Sequence, residues 1–240
     1  MSDEIDVFNH VVYALRSATV KKWPFPHFYA ENVFPESFYS LILDELSEKN
    51  DYESSDKFKN RAFSKTEGMV CLDFLKKGDF LQSVAGIFHE EIKNRFKDQK
   101  TVDLYNDLRL VRDGIGYEIG PHTDAAWKVV SLLFYMPPSN WHERHGTSIY
   151  MPRDQKFSCV GGPHHKREGF TNVWTAPYRP NSCFGFFKTD KSFHGVEPVD
   201  QEFRRDVLLL NIYSREVFDK HHLPPTLAEN DAMREKMLKS

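Results

Sequence analysis

Cysteine is scarce. The chain holds three in 240 residues, Cys71, Cys159 and Cys183, widely spaced and without a CxxC pair. That excludes a disulfide framework and a thiolate zinc site, and it suits reduced, mostly buried thiols. Long apolar runs are absent as well: nothing approaches the roughly eighteen residues that a membrane-spanning helix needs. The first ten residues, MSDEIDVFNH, are acidic where a secretory leader is basic and then apolar, so a cytoplasmic location without membrane contact is expected. Nor is one sign of charge in excess. A formal net charge of −3 provides no positive field to draw in nucleic acid or an anionic bilayer. No internal repeat or low-complexity tract appears.

What is abundant is aromatic surface. Aromatic residues make up 14% of the chain, with twenty phenylalanines, which fits the thick core of a sandwich or barrel better than a small helical bundle. The length suits one generous core, so residues 1 to 240 are read as a single domain. Residues 6 to 19 place apolar side chains at 7, 8, 11, 12 and 15, the spacing of one helical face. The prolines of KKWPFPHFYAENVF then impose an extended segment. Pro35 suits the first turn of a second helix, with Phe38, Leu41, Ile42 and Leu46 on one stripe. Residues 47 to 66 read as a surface loop or a short hairpin. Asp79 is a candidate cap for a third helix carrying Phe80, Leu81, Val84, Phe88, Ile92 and Phe96.

From Leu104 the character changes. Short β-branched and aromatic runs recur at 108 to 111, 128 to 136, 147 to 151, 182 to 187 and 205 to 213. Helices first and strands after predict a helical layer, about 1 to 103, packed on one face of a β core, about 104 to 216. Residues 217 to 240 read as a peripheral tail.

The chemistry is carried by two stretches. In GPHTDAAWKVVSLLFYMP, His122 and Asp124 stand at the mouth of a strand; on extended backbone, positions i and i+2 point to one side, so the pair offers two metal ligands while Thr123 faces away. In SFHGVEPVDQEFRRDVLLLNIY, His194 ends an aromatic run and is the natural third ligand. Two histidines and one carboxylate on one face of a metal leave positions open, the arrangement of non-haem Fe(II) sites that activate dioxygen. An arginine buried beside such a site is suited to anchor a carboxylate.

With HTD, FHGVEP and RR in this order, the segment from about Leu108 to Tyr213 resembles the Fe(II)/2-oxoglutarate-dependent oxygenases, specifically the prolyl 4-hydroxylase-like branch; PFPHFYAENVFPESFYSLILDEL resembles that branch's N-terminal part. The resemblance implies a mainly β (α+β) fold, a double-stranded β-helix of the jelly-roll, cupin-like kind with N-terminal helices on one face. It implies that His122, Asp124 and His194 bind Fe(II), that 2-oxoglutarate chelates the iron, and that O2 is consumed, with ascorbate as a further candidate. Hydroxylation of a small-molecule or peptidyl substrate, with release of succinate and carbon dioxide, is the implied outcome, since the Asp124 carboxylate is present where halogenating relatives typically lack one. Family spacing favours Arg204 for the far carboxylate of 2-oxoglutarate. Strand alternation favours Arg205, because an inward Arg204 brings Asp206 in with it, whereas an inward Arg205 brings Val207, Leu209 and Asn211. Tyr135 and Tyr117 are further candidates for that pocket.

Two rival readings make different demands. A cupin-type metal enzyme that does without 2-oxoglutarate needs no such arginine. A β-sandwich carbohydrate-binding module stacks Trp127, Trp141 and Trp174 on sugar and binds no iron. His142, His145, His164 and His165, even with Cys159, match no zinc-finger spacing and are expected in solvated loops lining the substrate mouth.

Overall fold

The computed structural model describes residues 2 to 97, 102 to 138, 141 to 199 and 203 to 214; the expected tail falls outside them. In chain order the first elements are α1 (Ser2–Ser17), β1 (His27–Glu31), α2 (Glu36–Glu48), β2 (Glu53–Ser54), β3 (Arg61–Lys65), α3 (Gly78–Ile87) and α4 (His89–Arg95). The remaining strands are β4 (Leu104–Asp113), β5 (Ile119–His122), β6 (Lys128–Tyr135), β7 (Ser148–Pro152), β8 (Phe170–Thr175), β9 (Ser182–Phe187), β10 (His194–Val196) and β11 (Arg205–Ser214). They form a seven-stranded sheet in the order β1-β9-β6-β11-β4-β3-β2 and a four-stranded sheet in the order β5-β10-β7-β8, antiparallel throughout. The two sheets share one apolar cluster, where Tyr135, Phe184, Phe186 and Val207 of the larger meet Ile119, Ile149 and Val196 of the smaller. This is the expected double-stranded β-helix.

The central strands of the large sheet, β6, β9 and β11, are buried on both faces, which explains their near-continuous apolar runs. Along β11, Leu208, Leu210 and Ile212 point outward into the core formed with the helices, together with Leu108 and Leu110 of β4 and Val130, Leu132 and Phe134 of β6. The helices answer with Val11 and Leu15 of α1, Ile42 and Leu46 of α2, and Phe80, Leu81 and Val84 of α3. The alternate residues face the interior between the sheets, and there the polar groups gather.

Local differences from expectation have identifiable causes. Residues 47 to 66 do contain a short hairpin, β2 with β3. Pro35 precedes the first turn of α2 and accepts the Tyr39 N–H. Leu41 is exposed, and Tyr39 takes its place among the buried residues of α2, because its hydroxyl reaches the Tyr135 carbonyl. Asp79 lies inside the first turn of α3 and caps nothing; Lys77 occupies the capping position without a side-chain bond. The single third helix is two helices, broken at Phe88, whose ring is buried between Phe28 and Phe187. Cys183 is the buried thiol, and Cys71 and Cys159 are partly covered.

Gly185, in the middle of β9, has a specific steric reason. A Cβ there stands 2.4 Å from Phe28 Cζ and 2.8 Å from Leu132 Cδ2, both in the packed core. Gly185→Ala is therefore expected to lower stability by about 1–3 kcal/mol through overpacking. Urea denaturation checks this, and an unchanged midpoint contradicts the packing.

Candidate active site

β5 and β10 lie side by side with His122 directly opposite His194, their ring centroids 4.4 Å apart. β5 ends at His122, so Asp124 sits in the turn leading to β6 rather than on a strand. Ligating atoms of His122, Asp124 and His194 all lie within 4.8 Å of one another. With metal–ligand bonds of ~2.0–2.2 Å, a shared cation needs them within about 4.4 Å, a closure of a few tenths of an ångström. Three contacts fix the turn. Ser131 Oγ donates to Asp124 Oδ2 at 2.9 Å, Lys128 Nζ donates to Oδ1 at 2.8 Å, and Arg95 of α4 donates to the carbonyls of Ala126, Lys128 and Lys188. Between the two ligands, Thr123 turns its hydroxyl onto the Cys159 carbonyl.

The ring orientations are settled by backbone carbonyls. His122 Nδ1 lies 3.0 Å from Gly120 O and His194 Nδ1 2.9 Å from Ser192 O. A carbonyl only accepts, so each Nδ1 carries the proton and each Nε2 presents a lone pair, as in metal-bound histidines. Burial pushes both imidazole pKa values down, with His194 adding to the effect at His122, so both rings stay neutral. For Asp124, burial alone raises the carboxyl; the charge and hydrogen bond of Lys128 lead the opposing effects, which hold the group well below the usual carboxylate range. Two neutral imidazoles and one carboxylate are the deprotonated donors a divalent metal requires.

From this end a cavity of about 300 Å³ runs between the sheets, walled by Val111, Ile119, Leu133, Phe186, Val207 and Leu209. At its far side Arg205 is 1% exposed. Its Nη1 donates to Asp113 Oδ2 at 2.8 Å, its Nε to His145 O at 2.7 Å and its Nη2 to Thr147 Oγ1 at 3.3 Å. Asp113, fully buried, also takes Arg61 in a two-pronged pair at 2.6 and 2.9 Å. The row is dictated by register: Arg61, Asp113 and Arg205 stand opposite one another on β3, β4 and β11.

Other expectations meet different surroundings. Arg204 is half-exposed on the opposite side of β11, paired there with Asp206, so the alternation that separates it from Arg205 holds and Arg204 does not reach the cavity. Tyr135 stands one layer behind the wall: its hydroxyl donates to Thr147 Oγ1 and accepts the Thr147 N–H, and Thr147 faces the cavity in its place. Tyr117 is buried under Arg61, its ring 4.1 Å from the guanidinium carbon, and does not line the cavity either. His145 is no solvated loop residue; it is buried and stacked on Phe203. His164 does reach the mouth, 4.7 Å from the His122 ring and stacked on Phe58. Of the three tryptophans Trp127 alone lines the cavity, while Trp174 packs on His27, Tyr29 and Phe184, so they form no common platform for sugar. Asp113, Arg61 and Arg95 carried no signal in the sequence, since each acts through partners at least 31 residues away.

Among solved structures, a prolyl hydroxylase from Trichoplax adhaerens, in complex with a hypoxia inducible factor oxygen degradation domain peptide fragment, superposes at TM-score 0.51 and 12% identity, over 90% of this chain and 93% of that one. Prolyl 4-hydroxylase from Phytophthora capsici gives TM-score 0.53 at 15% identity, over 100% of this chain and 77% of that one. The non-heme alpha ketoglutarate dependent epimerase SnoN of nogalamycin biosynthesis gives 0.52 at 12%, over 88% and 84%. No family model and no curated protein matches the sequence. The likeness is one of fold: the chain shares the double-stranded β-helix architecture of these proteins. Among the described residues no helix is long and apolar enough to cross a membrane.

Two outcomes follow from the electrostatics. Because the folded chain holds His122 and His194 neutral below the ordinary imidazole value of 6.5, divalent-metal affinity should stay level as pH falls through 6.5 and weaken only at lower pH. A calorimetric midpoint at or above 6.5 contradicts this. Asp113→Asn leaves two buried guanidinium groups with one neutral partner, at an expected cost of about 3–5 kcal/mol in denaturation free energy. A loss under 1 kcal/mol, roughly a surface pair's worth, shows that the row is not buried as described.

Proposed function

We propose that the chain is an Fe(II)- and 2-oxoglutarate-dependent oxygenase that hydroxylates an unactivated C–H bond. One observation carries the reading: three metal-competent side chains converge at one end of a cavity whose other side presents a buried, preoriented arginine. The donor set of His122, Asp124 and His194 is that of Fe(II) sites with open positions, and the Nδ1 bonds aim both Nε2 atoms at a common point. When bound, iron and cosubstrate supply the oxidant: 2-oxoglutarate and O2 give succinate and carbon dioxide, with the second oxygen atom entering the substrate C–H bond.

The protein's own task is binding and orientation. Arg205 is suited to the far carboxylate of 2-oxoglutarate, since its three bonds leave two of its five N–H groups for a ligand on the cavity side. Thr147 Oγ1 accepts from both Tyr135 and Arg205, so its own proton is directed to another acceptor, and a carboxylate beside Arg205 is well placed to take it. Tyr135 thereby acts on the cosubstrate through Thr147. The apolar walls exclude water and strengthen these charge-assisted bonds.

Anaerobic addition of Fe(II) and 2-oxoglutarate should develop the weak visible charge-transfer band of this chelate, and its absence counts heavily against the proposal. His194→Ala should abolish succinate formation. Arg205→Met should weaken 2-oxoglutarate binding about 10- to 100-fold, the worth of a lost charged hydrogen bond, while metal stoichiometry is retained. Unchanged 2-oxoglutarate affinity removes Arg205 from the role.

A further inference from the structure

The metal and cosubstrate account for the triad, Arg205 and Thr147, but not for the wall built by β3 and β4. Arg109 projects from β4 into the cavity and is 5% exposed. Its Nη2 forms an ion pair with Asp107 at 2.5 Å, yet its Nε has no hydrogen-bond partner among the described residues. A buried N–H on a charged group left without an acceptor is strongly unfavourable, so such groups are met by a partner when the protein works. Water can accept one N–H. It does not balance charge.

The charge count points to an anion. Leaving aside Lys57, which is exposed at the rim, four cations, Arg61, Arg109, Lys128 and Arg205, face Asp107 and Asp124 on the wall and Asp113 behind it. One positive charge is left over, on the row where Arg61 and Arg205 share Asp113, since Arg109 pairs with Asp107 and Lys128 with Asp124. A divalent metal and a dianionic cosubstrate cancel each other, so loading the site leaves the surplus in place. Register places Arg109 apart from the cosubstrate arginine. Asn211 pairs with both Asp107 and Ser131, and Ser131 holds Asp124; Arg109 is one inward-facing position along from this row, opposite Leu209, while Arg205 is three along. Arg109 therefore stands near the metal end, on the flank of the cavity. Phe63 lies beneath, its ring 5.3 Å from the Arg109 guanidinium carbon and 5.9 Å from that of Arg61.

We propose that Arg109, with Arg61 on the other side of Phe63, is the subsite for a carboxylate on the substrate, so that the molecule oxidised is a small acid or an acidic side chain. This rests on the oxygenase reading above. The cavity, at the bottom of the usual range of ~300–1,000 Å³ for ligand sites, has room beside the cosubstrate for little more. Arg109 binds the carboxylate by charge-assisted N–H donation, Phe63 carries the apolar part, and the reacting carbon is held toward the His122, Asp124 and His194 end.

The test uses the full chain loaded with nickel and 2-oxoglutarate, with arginine Nε–H signals followed by nitrogen-15 NMR during titration with acetate and, separately, acetamide. The proposal expects a saturable shift of the Arg109 signal with acetate and none with acetamide. In Arg109→Met the acetate response, now followed on the Arg61 Nε–H signal across Phe63, is lost while 2-oxoglutarate affinity stays within about twofold of the parent, as expected for separate subsites; Arg109→Lys, which keeps the charge, retains a weaker response of the Arg61 signal. No shift with acetate, or an equal shift with acetamide, overturns the proposal, and the unsubstituted protein decides this even if Arg109→Met does not fold. A fall in 2-oxoglutarate affinity in Arg109→Met as large as that in Arg205→Met also overturns it, by assigning Arg109 to the cosubstrate. If the nickel-loaded chain binds no 2-oxoglutarate at all, the oxygenase reading itself has failed and the subsite falls with it.

Discussion

The register of β11 is the constraint on which the rest depends. This strand sits between β4 and β6, paired with β4 from Arg205 opposite Asp113 to Ser214 opposite Leu104. Its outward residues Leu208, Leu210 and Ile212 are held by the helices, and its inward residues Arg205, Val207, Leu209 and Asn211 form one side of the cavity. A slip of one residue would turn the leucines into the cavity and press Arg205 against the helical core. The apolar packing on the outer face thus fixes the polar geometry on the inner one. It also delivers Arg205 to Asp113, which is why a fully buried carboxylate can stand between two guanidinium groups without a net unpaired charge of its own.

The smaller sheet does the complementary work. Pairing of β5 with β10 sets His122 against His194, and Gly195 allows the two backbones to close, since a Cβ there stands 2.4 Å from Ile119 O. Asp124 comes from the turn into β6, so the three side chains report on whether the two sheets are assembled. Arg95 joins the helical layer to this turn through the carbonyls of Ala126 and Lys128, and in this way the helices support the site without touching it.

Much of this was legible in the sequence, and for definite reasons. The long strands showed themselves because β-branched and aromatic residues crowd strands covered on both faces, and 182 to 187 appears with the expected bounds. The HTD and FHG segments are short and chemically distinctive, and period-two alternation was enough to send Arg204 outward and Arg205 inward. What stayed hidden depends on pairing across the chain. Asp113 looks like any strand-end acid until β3 and β11 flank it, 52 and 92 residues away. Tyr135 and Tyr117 lie a layer behind the cavity wall and do not line it, because sequence alternation gives a side chain's face and not its depth. The break at Phe88 was invisible because the helical period continues across it; tertiary packing on Phe28 and Phe187 decides the matter.

The central claim is that two imidazoles and one carboxylate, remote in sequence, meet on a single cation. X-ray absorption spectroscopy of the Fe(II)-loaded protein reads this directly. The account predicts scattering from two histidine rings on iron otherwise bound by oxygen, falling to one ring in His194→Ala. Iron without histidine scattering, or a spectrum that His194→Ala leaves unaltered, contradicts it.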